Sequence, residues 1–166
     1  MFREMRRASQ ALSPEVCEAV LMRGTSGVLA VLGEEGYPYA VPLSYVYQSG
    51  KLYFHCAKEG NKLDAIRQNP KVSFCVIDQD QVYPEDYTTL FRSVILFGRA
   101  RILEEEAEKR KAITLLTEKY VPLDTPENRA FRINRSFAPL CMVEVTVDHM
   151  TGKEAKELAQ QRQAQG

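Results

Sequence analysis

Apolar and polar positions alternate over Lys51–Ala57 and Lys71–Ile77, a two-residue period that marks strands, and Ser93–Leu103 is the longest β-run in the chain. In the first, Leu52, Phe54 and Cys56 share one face and Lys51, Tyr53, His55 and Ala57 the other. In the second, Val72, Phe74 and Val76 oppose Ser73, Cys75 and Ile77. Val41–Tyr47 is rich in β-branched and aromatic residues, and Gln48-Ser49-Gly50 supplies turn chemistry before Lys51, so Val41–Ala57 is expected to be a β-hairpin. Val28–Leu32 and Cys141–Val147 are further apolar strands. The strand entering the hairpin spans Tyr37–Tyr47. Its Pro38 and Pro42 lack the N–H that a ladder needs, which places its early part at an edge or bulge. Gly98, inside the run SVILFGRARIL, marks a bend or bulge.

Helical signals are fewer. Ser13-Pro14-Glu15 reads as cap, first-turn proline and first-turn acid of a helix that runs to Arg23 and stops at Gly24, with Val16, Ala19 and Val20 inward. Leu63, Ile66 and the stop at Asn69-Pro70 describe a short helix that opens with Gly60-Asn61-Lys62. Glu104–Tyr120 is a longer one, with Ala107, Ile113, Leu116 and Tyr120 near its inner face, and Glu154–Gln163 is polar helix or tail. Asp78–Leu90 is acidic and expected as a long loop, and Val121–Ala138, with prolines near its ends, as irregular connection with little helix. The alternating βαβ rhythm of parallel folds is absent, so the pattern implies a mainly β, antiparallel barrel with helices outside it. One domain covers 1–166, with an N-terminal arm over 1–12 and a C-terminal tail or helix over 148–166.

Composition narrows the partners. Lys plus Arg and Asp plus Glu both number 22 in 166 residues, which gives no electrostatic pull toward nucleic acid. No apolar run approaches the ~20 residues of a membrane span, and no apolar segment follows the charged N-terminus as a secretory signal would require, so a cytoplasmic chain is expected. The four cysteines form no Cys-x-x-Cys pair and the two histidines sit in no carboxylate cluster, so reduced thiols are expected and no metal site.

Candidate chemistry gathers after the hairpin. The N-terminus of the helix at Gly60-Asn61-Lys62 offers free N–H groups, the positive dipole end and a lysine, which together suit a phosphate. His55 lies on the polar face of its strand just before it. Adjacent strand residues point oppositely, so His55 and Cys56 form no dyad. His149 is expected at a strand end facing solvent, and Gly152-Lys153 is no phosphate loop, because Val147 stands where that motif needs glycine.

The segments GYPYAVPLSYVY, LYFHCAKEGNKLDAIRQNPKVSFCV and SVILFGRARIL, in this order and spacing, resemble the nitroimidazole-resistance branch of the pyridoxamine 5′-phosphate oxidase-like FMN-binding split barrels over roughly Arg6 to Val147. The resemblance implies a six-stranded antiparallel split β-barrel with flanking helices, assembled as a homodimer with FMN at each of two shared sites. It implies that the flavin ring runs along Val41, Leu43, Ser44 and Tyr45, that the phosphate lies by Gly60, Asn61 and Lys62, and that His55, followed by Ala57, stands near the ring as the catalytic residue. Arg92 and Ser93 are expected to reach the cofactor from the same or the partner chain. Tyr45, Tyr47 and Tyr53 are expected to anchor the second subunit. The activity implied is FMN-dependent reduction of a small aromatic acceptor such as a nitroimidazole, with NAD(P)H as donor. Other members use haem or deazaflavin, so a non-enzymatic flavin- or haem-binding module is the alternative.

Overall fold

The computed structural model describes residues 2–164; Met1 of the arm and 165–166 of the tail lie outside the described residues. Among them, seven strands make one antiparallel sheet: β1 (Gly27–Leu32), β2 (Pro38–Leu43), β3 (Val46–Gln48), β4 (Lys51–Cys56), β5 (Lys71–Tyr83), β6 (Thr88–Ile102) and β7 (Cys141–Glu154). The order across it is β2-β1-β5-β6-β7-β4-β3. The two edge strands are thus neighbours in the chain, separated by Ser44 and Tyr45 alone. With 3.8 Å between consecutive Cα atoms, Leu43 and Val46 lie within about 11 Å of each other. The sheet must curl until its edges nearly meet, as a barrel left open along one seam.

The count is seven rather than six because the expected Tyr37–Tyr47 strand breaks at Ser44-Tyr45. The Tyr45 ring is fully buried, edge-on to Phe74 at 5.0 Å, and its hydroxyl donates to the Leu21 carbonyl at 2.8 Å. Its N–H donates to the Tyr120 hydroxyl at 3.0 Å and is lost to any ladder. The hairpin is accordingly shorter than expected. Val46–Gln48 pairs with Lys51–Tyr53 around Ser49 (φ 49°) and Gly50 (φ 78°), the positive dihedrals a two-residue turn demands, while Val41 pairs with Leu29 of β1. β2 is an edge strand, as its prolines require.

The expected Asp78–Leu90 loop is instead a hairpin arm. β5 and β6 stay paired out to Tyr83 and Thr88, past a bulge between Ile77 and Gln79. Most of the arm's side chains out to its tip are exposed, so no buried face imposes an apolar alternation that could be read. Gly98 does sit at a register shift against β7. β7 itself continues to Glu154, so His149 lies inside the last strand and not beyond it.

Five α-helices are described: α1 (Pro14–Arg23), α2 (Asn61–Gln68), α3 (Glu106–Tyr120), α4 (Pro126–Ser136) and α5 (Lys156–Ala164). Ser13 caps α1 by accepting from the Val16 N–H at 3.4 Å. Its inner face is Cys17, Val20 and Leu21, with Ala19 exposed and Val16 only half-buried. In α3 the buried residues are Ala112, Ile113 and Leu116, and Ala107 is outside. α4 replaces the expected irregular stretch. Thr125 caps it at 3.2 Å and Pro126 opens it, but Ile133 is its one buried side chain, too thin a stripe to read as helix.

Two cores result. The barrel interior holds Leu29, Phe54, Phe74, Val94, Leu96 and Val143, plugged by α1 and by Leu63, Ala65 and Ile66 of α2. The outer face of β3, β4 and β7 is covered by α3 and α4 through Val46, Tyr53, Met142, Ile113, Leu116 and Ile133. Tyr45 and Tyr47 belong to the first core and Tyr53 to the second, so the three tyrosines expected to anchor a second subunit are buried within their own chain.

Candidate functional site

β4 leaves the sheet at Cys56, and Ala57–Gly60 carries the chain into α2. Gly60 caps that helix with φ 132°, a conformation for glycine, and a Cβ there would meet open space, so the backbone faces outward unobstructed. No side chain caps the helix. The Leu63 and Asp64 amides bond back to the Gly60 carbonyl at 2.9 and 3.2 Å, which leaves those of Asn61 and Lys62 as the orphan donors of the first turn. On α2 Arg67 pairs with Asp64 at 2.9 Å, and among the described residues Lys62 has no carboxylate partner. Orphan amides, the positive helix end and an unpaired, half-buried lysine thus share the first turn of α2, a combination that suits an anion.

The same turn borders a cleft of ≈ 210 Å³ between α2 and the β1–β2 connection, lined by Asn61, Asp64, Glu34, Tyr37, Pro38 and Tyr39 among others. Asn61 is shared by the anion spot and the cleft. Tyr37 is 72% exposed, a large ring left in solvent beside an edge strand. The tyrosines of GYPY were not among the expected contacts; the signal available was their place on a proline-bearing edge next to a glycine turn.

His55 is exposed on β4, across from Met142 of β7, one step beyond the cover of α3 and α4. His55, Ala57, Gly60, Asn61 and Lys62 follow one another along the chain as the rim that leads from β4 into α2. Val41 and Leu43 send their side chains toward the barrel core from β2, and exposed Ser44 follows at the seam. Tyr45 is different: its ring and its N–H are both committed inside the chain, so it has only its packing to offer.

Arg92 is also committed. It bonds Glu154, which is 0% exposed, at 3.0 Å and Asp78 at 3.3 Å, while Arg23 grips Asp78 at 2.6 Å and Arg162 of α5 grips Glu154 at 2.8 Å. The bonds from Arg23 and then Arg92 hold the Asp78 carboxyl below its ordinary range despite its burial. Arg92 is thus the hub of a brace joining α1, β5, β7 and α5, with its charge already neutralised. Ser93, opposite Ile77 and Lys153, lies on the outer sheet face. A second charged nest surrounds Glu144 on the far side of β4. Burial raises this carboxyl, but bonds from Arg101, Lys51 and Tyr53 outweigh it and hold it low.

A seamed antiparallel barrel with a helix start opening outward at the exit of β4 is the architecture of a split barrel. The sequence model of the pyridoxamine 5′-phosphate oxidase family matches residues 13–154, and the chain belongs to that family. A candidate 5-nitroimidazole antibiotic resistance protein of Bacteroides thetaiotaomicron is similar in structure, with a TM-score of 0.73 at 22% identity over 87% of this chain and 86% of that one. An FAD-binding protein of Mesorhizobium loti gives 0.66 at 25% identity over 89% and 98%. A flavocytochrome of Azotobacter vinelandii gives 0.73 at 16% identity over 93% and 73%. In sequence, an uncharacterized protein of Rhizobium meliloti is 31% identical over 90 residues, so the match spans about half the length, 54%, of that curated relative.

Proposed function

We propose that this protein is an FMN-dependent oxidoreductase that reduces a small aromatic acceptor, such as a nitroimidazole, with electrons from NAD(P)H. The observation that carries the reading is the outward-facing first turn of α2, with Gly60 open, the Asn61 and Lys62 amides unclaimed and Lys62 unpaired, on the rim that holds exposed His55. The flavin would supply the hydride chemistry. Lys62 with the Gly60–Lys62 backbone would hold the phosphate, and the β2 backbone from Val41 to Ser44 would lie along the ring. His55 Nδ1 or Nε2 would deliver a proton to the reduced acceptor.

A homodimer belongs to this reading. The outer face of β2, β1, β5 and β6 has no helix over it, and it aligns Pro42, Ala30, Cys75, Ile77, Ile95 and Phe97, with Ile77 64%, Ile95 42% and Phe97 39% exposed. An antiparallel sheet apolar on both faces needs a second cover, and a second copy of this chain supplies it beside the β2 edge. This face takes the place of the three tyrosines as the expected contact.

The alternative is a module that binds flavin or haem without turnover, which the flavocytochrome's likeness in fold keeps in view. The absorption spectrum of purified protein, followed by anaerobic mixing with NADH or NADPH, separates the two. A flavin spectrum that bleaches supports the enzyme. A flavin that does not bleach, or a haem band, supports the binding module.

A further inference from the structure

We propose that Cys56 and Cys141 are a redox modification site, a cross-strand thiol pair that a two-electron oxidant converts to an intramolecular disulfide. All four cysteines are free thiols. Only these two stand directly opposite each other, as register partners at the last residue of β4 and the first of β7. Opposed residues of an antiparallel pair have Cα atoms about 4.5–5.5 Å apart and side chains on the same face, within the 4.4–6.8 Å a disulfide spans. Here that face is the barrel interior, where Cys141 belongs to the core and Cys56 packs against it. The two thiols also interact: burial first, and then Cys141, push the Cys56 thiol up to about 12, against the pull of Lys62 and Arg67. Cys17 lies on α1 and Cys75 faces outward from β5, neither with a cysteine opposite.

Exposure sets the order of events. Cys56 is half-buried, whereas Cys141 is 6% exposed. Hydrogen peroxide takes the electron pair of the Cys56 sulfur, forming Cys56–SOH and releasing one water. The Cys141 sulfur then attacks the Cys56 sulfur, the S–S bond forms, and the hydroxyl leaves with the thiol proton as a second water. One peroxide is reduced to two waters and two thiols are oxidised to one disulfide. With the thiolate scarce at neutral pH the first step is slow, so the pair is a reserve crosslink and not a fast sensor. Closure would staple the end of β4 to the start of β7 where the chain enters the loop leading to α2.

The test uses the native protein with peroxide in excess, then alkylation, denaturation and peptide mapping by mass. The expected result is monomeric linkage of the Cys56 and Cys141 peptides, with Cys17 and Cys75 still alkylated and with full reversal by dithiothreitol. In Cys141→Ser the resolving thiol is gone, and a dimedone adduct should appear on Cys56. Four alkylated cysteines after oxidation, a bridge to Cys17 or Cys75, a bridge between chains, or a dimedone adduct absent from Cys56 would each overturn the assignment. None of these readouts depends on a bound flavin.

Discussion

Lys62 and His55 sit on one rim but are expected to fail differently. Charge-assisted hydrogen bonds contribute roughly 1.5 to 3 kcal/mol, so Lys62→Ala should weaken FMN binding about ten- to a hundredfold with the fold intact. Titration with riboflavin, which has no phosphate, should give nearly equal affinities for the two proteins; a large remaining gap would place the action of Lys62 elsewhere. His55 is exposed and contributes to neither core, so His55→Ala should leave the melting temperature and flavin affinity near wild type. Acceptor turnover should drop about a hundredfold, as lost general acid catalysis commonly does. Stopped-flow measurement of both half-reactions checks this: flavin reduction should be unchanged and flavin reoxidation by the acceptor slowed.

At the scale of elements, α3 holds the seam of the barrel. The Tyr120 hydroxyl accepts the buried Tyr45 N–H and reaches the carbonyls of Thr25 and Tyr45, and Lys119 lies 4.2 Å over the Tyr45 ring. Tyr120→Phe strands a buried N–H, at a cost of about 1 to 3 kcal/mol measurable by urea denaturation. The brace from α1 to α5 adds a pH signature. Because the Asp78 carboxyl is held low, its contribution is full above its ordinary value of 3.8 and is lost as pH falls below that. Asp78→Asn should therefore be markedly less stable than wild type at neutral pH, and the difference should shrink in acid. A gap that stayed constant with pH would mean that packing, not charge, is what Asp78 supplies.

For the whole molecule, the outer sheet face, free of helices and touched by Phe2 of the arm at Phe97, sets the expected assembly. Sedimentation at micromolar concentration should give a dimer, and Ile95→Glu, which plants a charge amid that face, should give monomer with weakened flavin binding. Wild-type monomer retaining flavin would break the shared-site reading. The candidate site is itself an assembly of distant parts, since folding sets the Asn61 turn against the β1–β2 connection at Glu34, Tyr37 and Tyr39.

Residues 51–57 and 71–77, the cap at Ser13 and the helix start at Gly60 were legible directly, because each rests on local physics: alternation against one buried face, or orphan amides meeting a capping residue. What escaped depends on neighbours far along the chain. At the break at Ser44-Tyr45 the Tyr45 N–H goes to Tyr120, 75 residues away. The arm of β5 and β6 has no buried face to impose a pattern, and α4 buries too little to show one. Arg92 reads as a free cation in sequence, yet folding delivers Asp78 and the fully buried Glu154 to it from other strands. Local propensity and amphipathic period thus determined the strands, the caps and the uncapped start of α2, while long-range pairing alone decided which polar groups remain unspent.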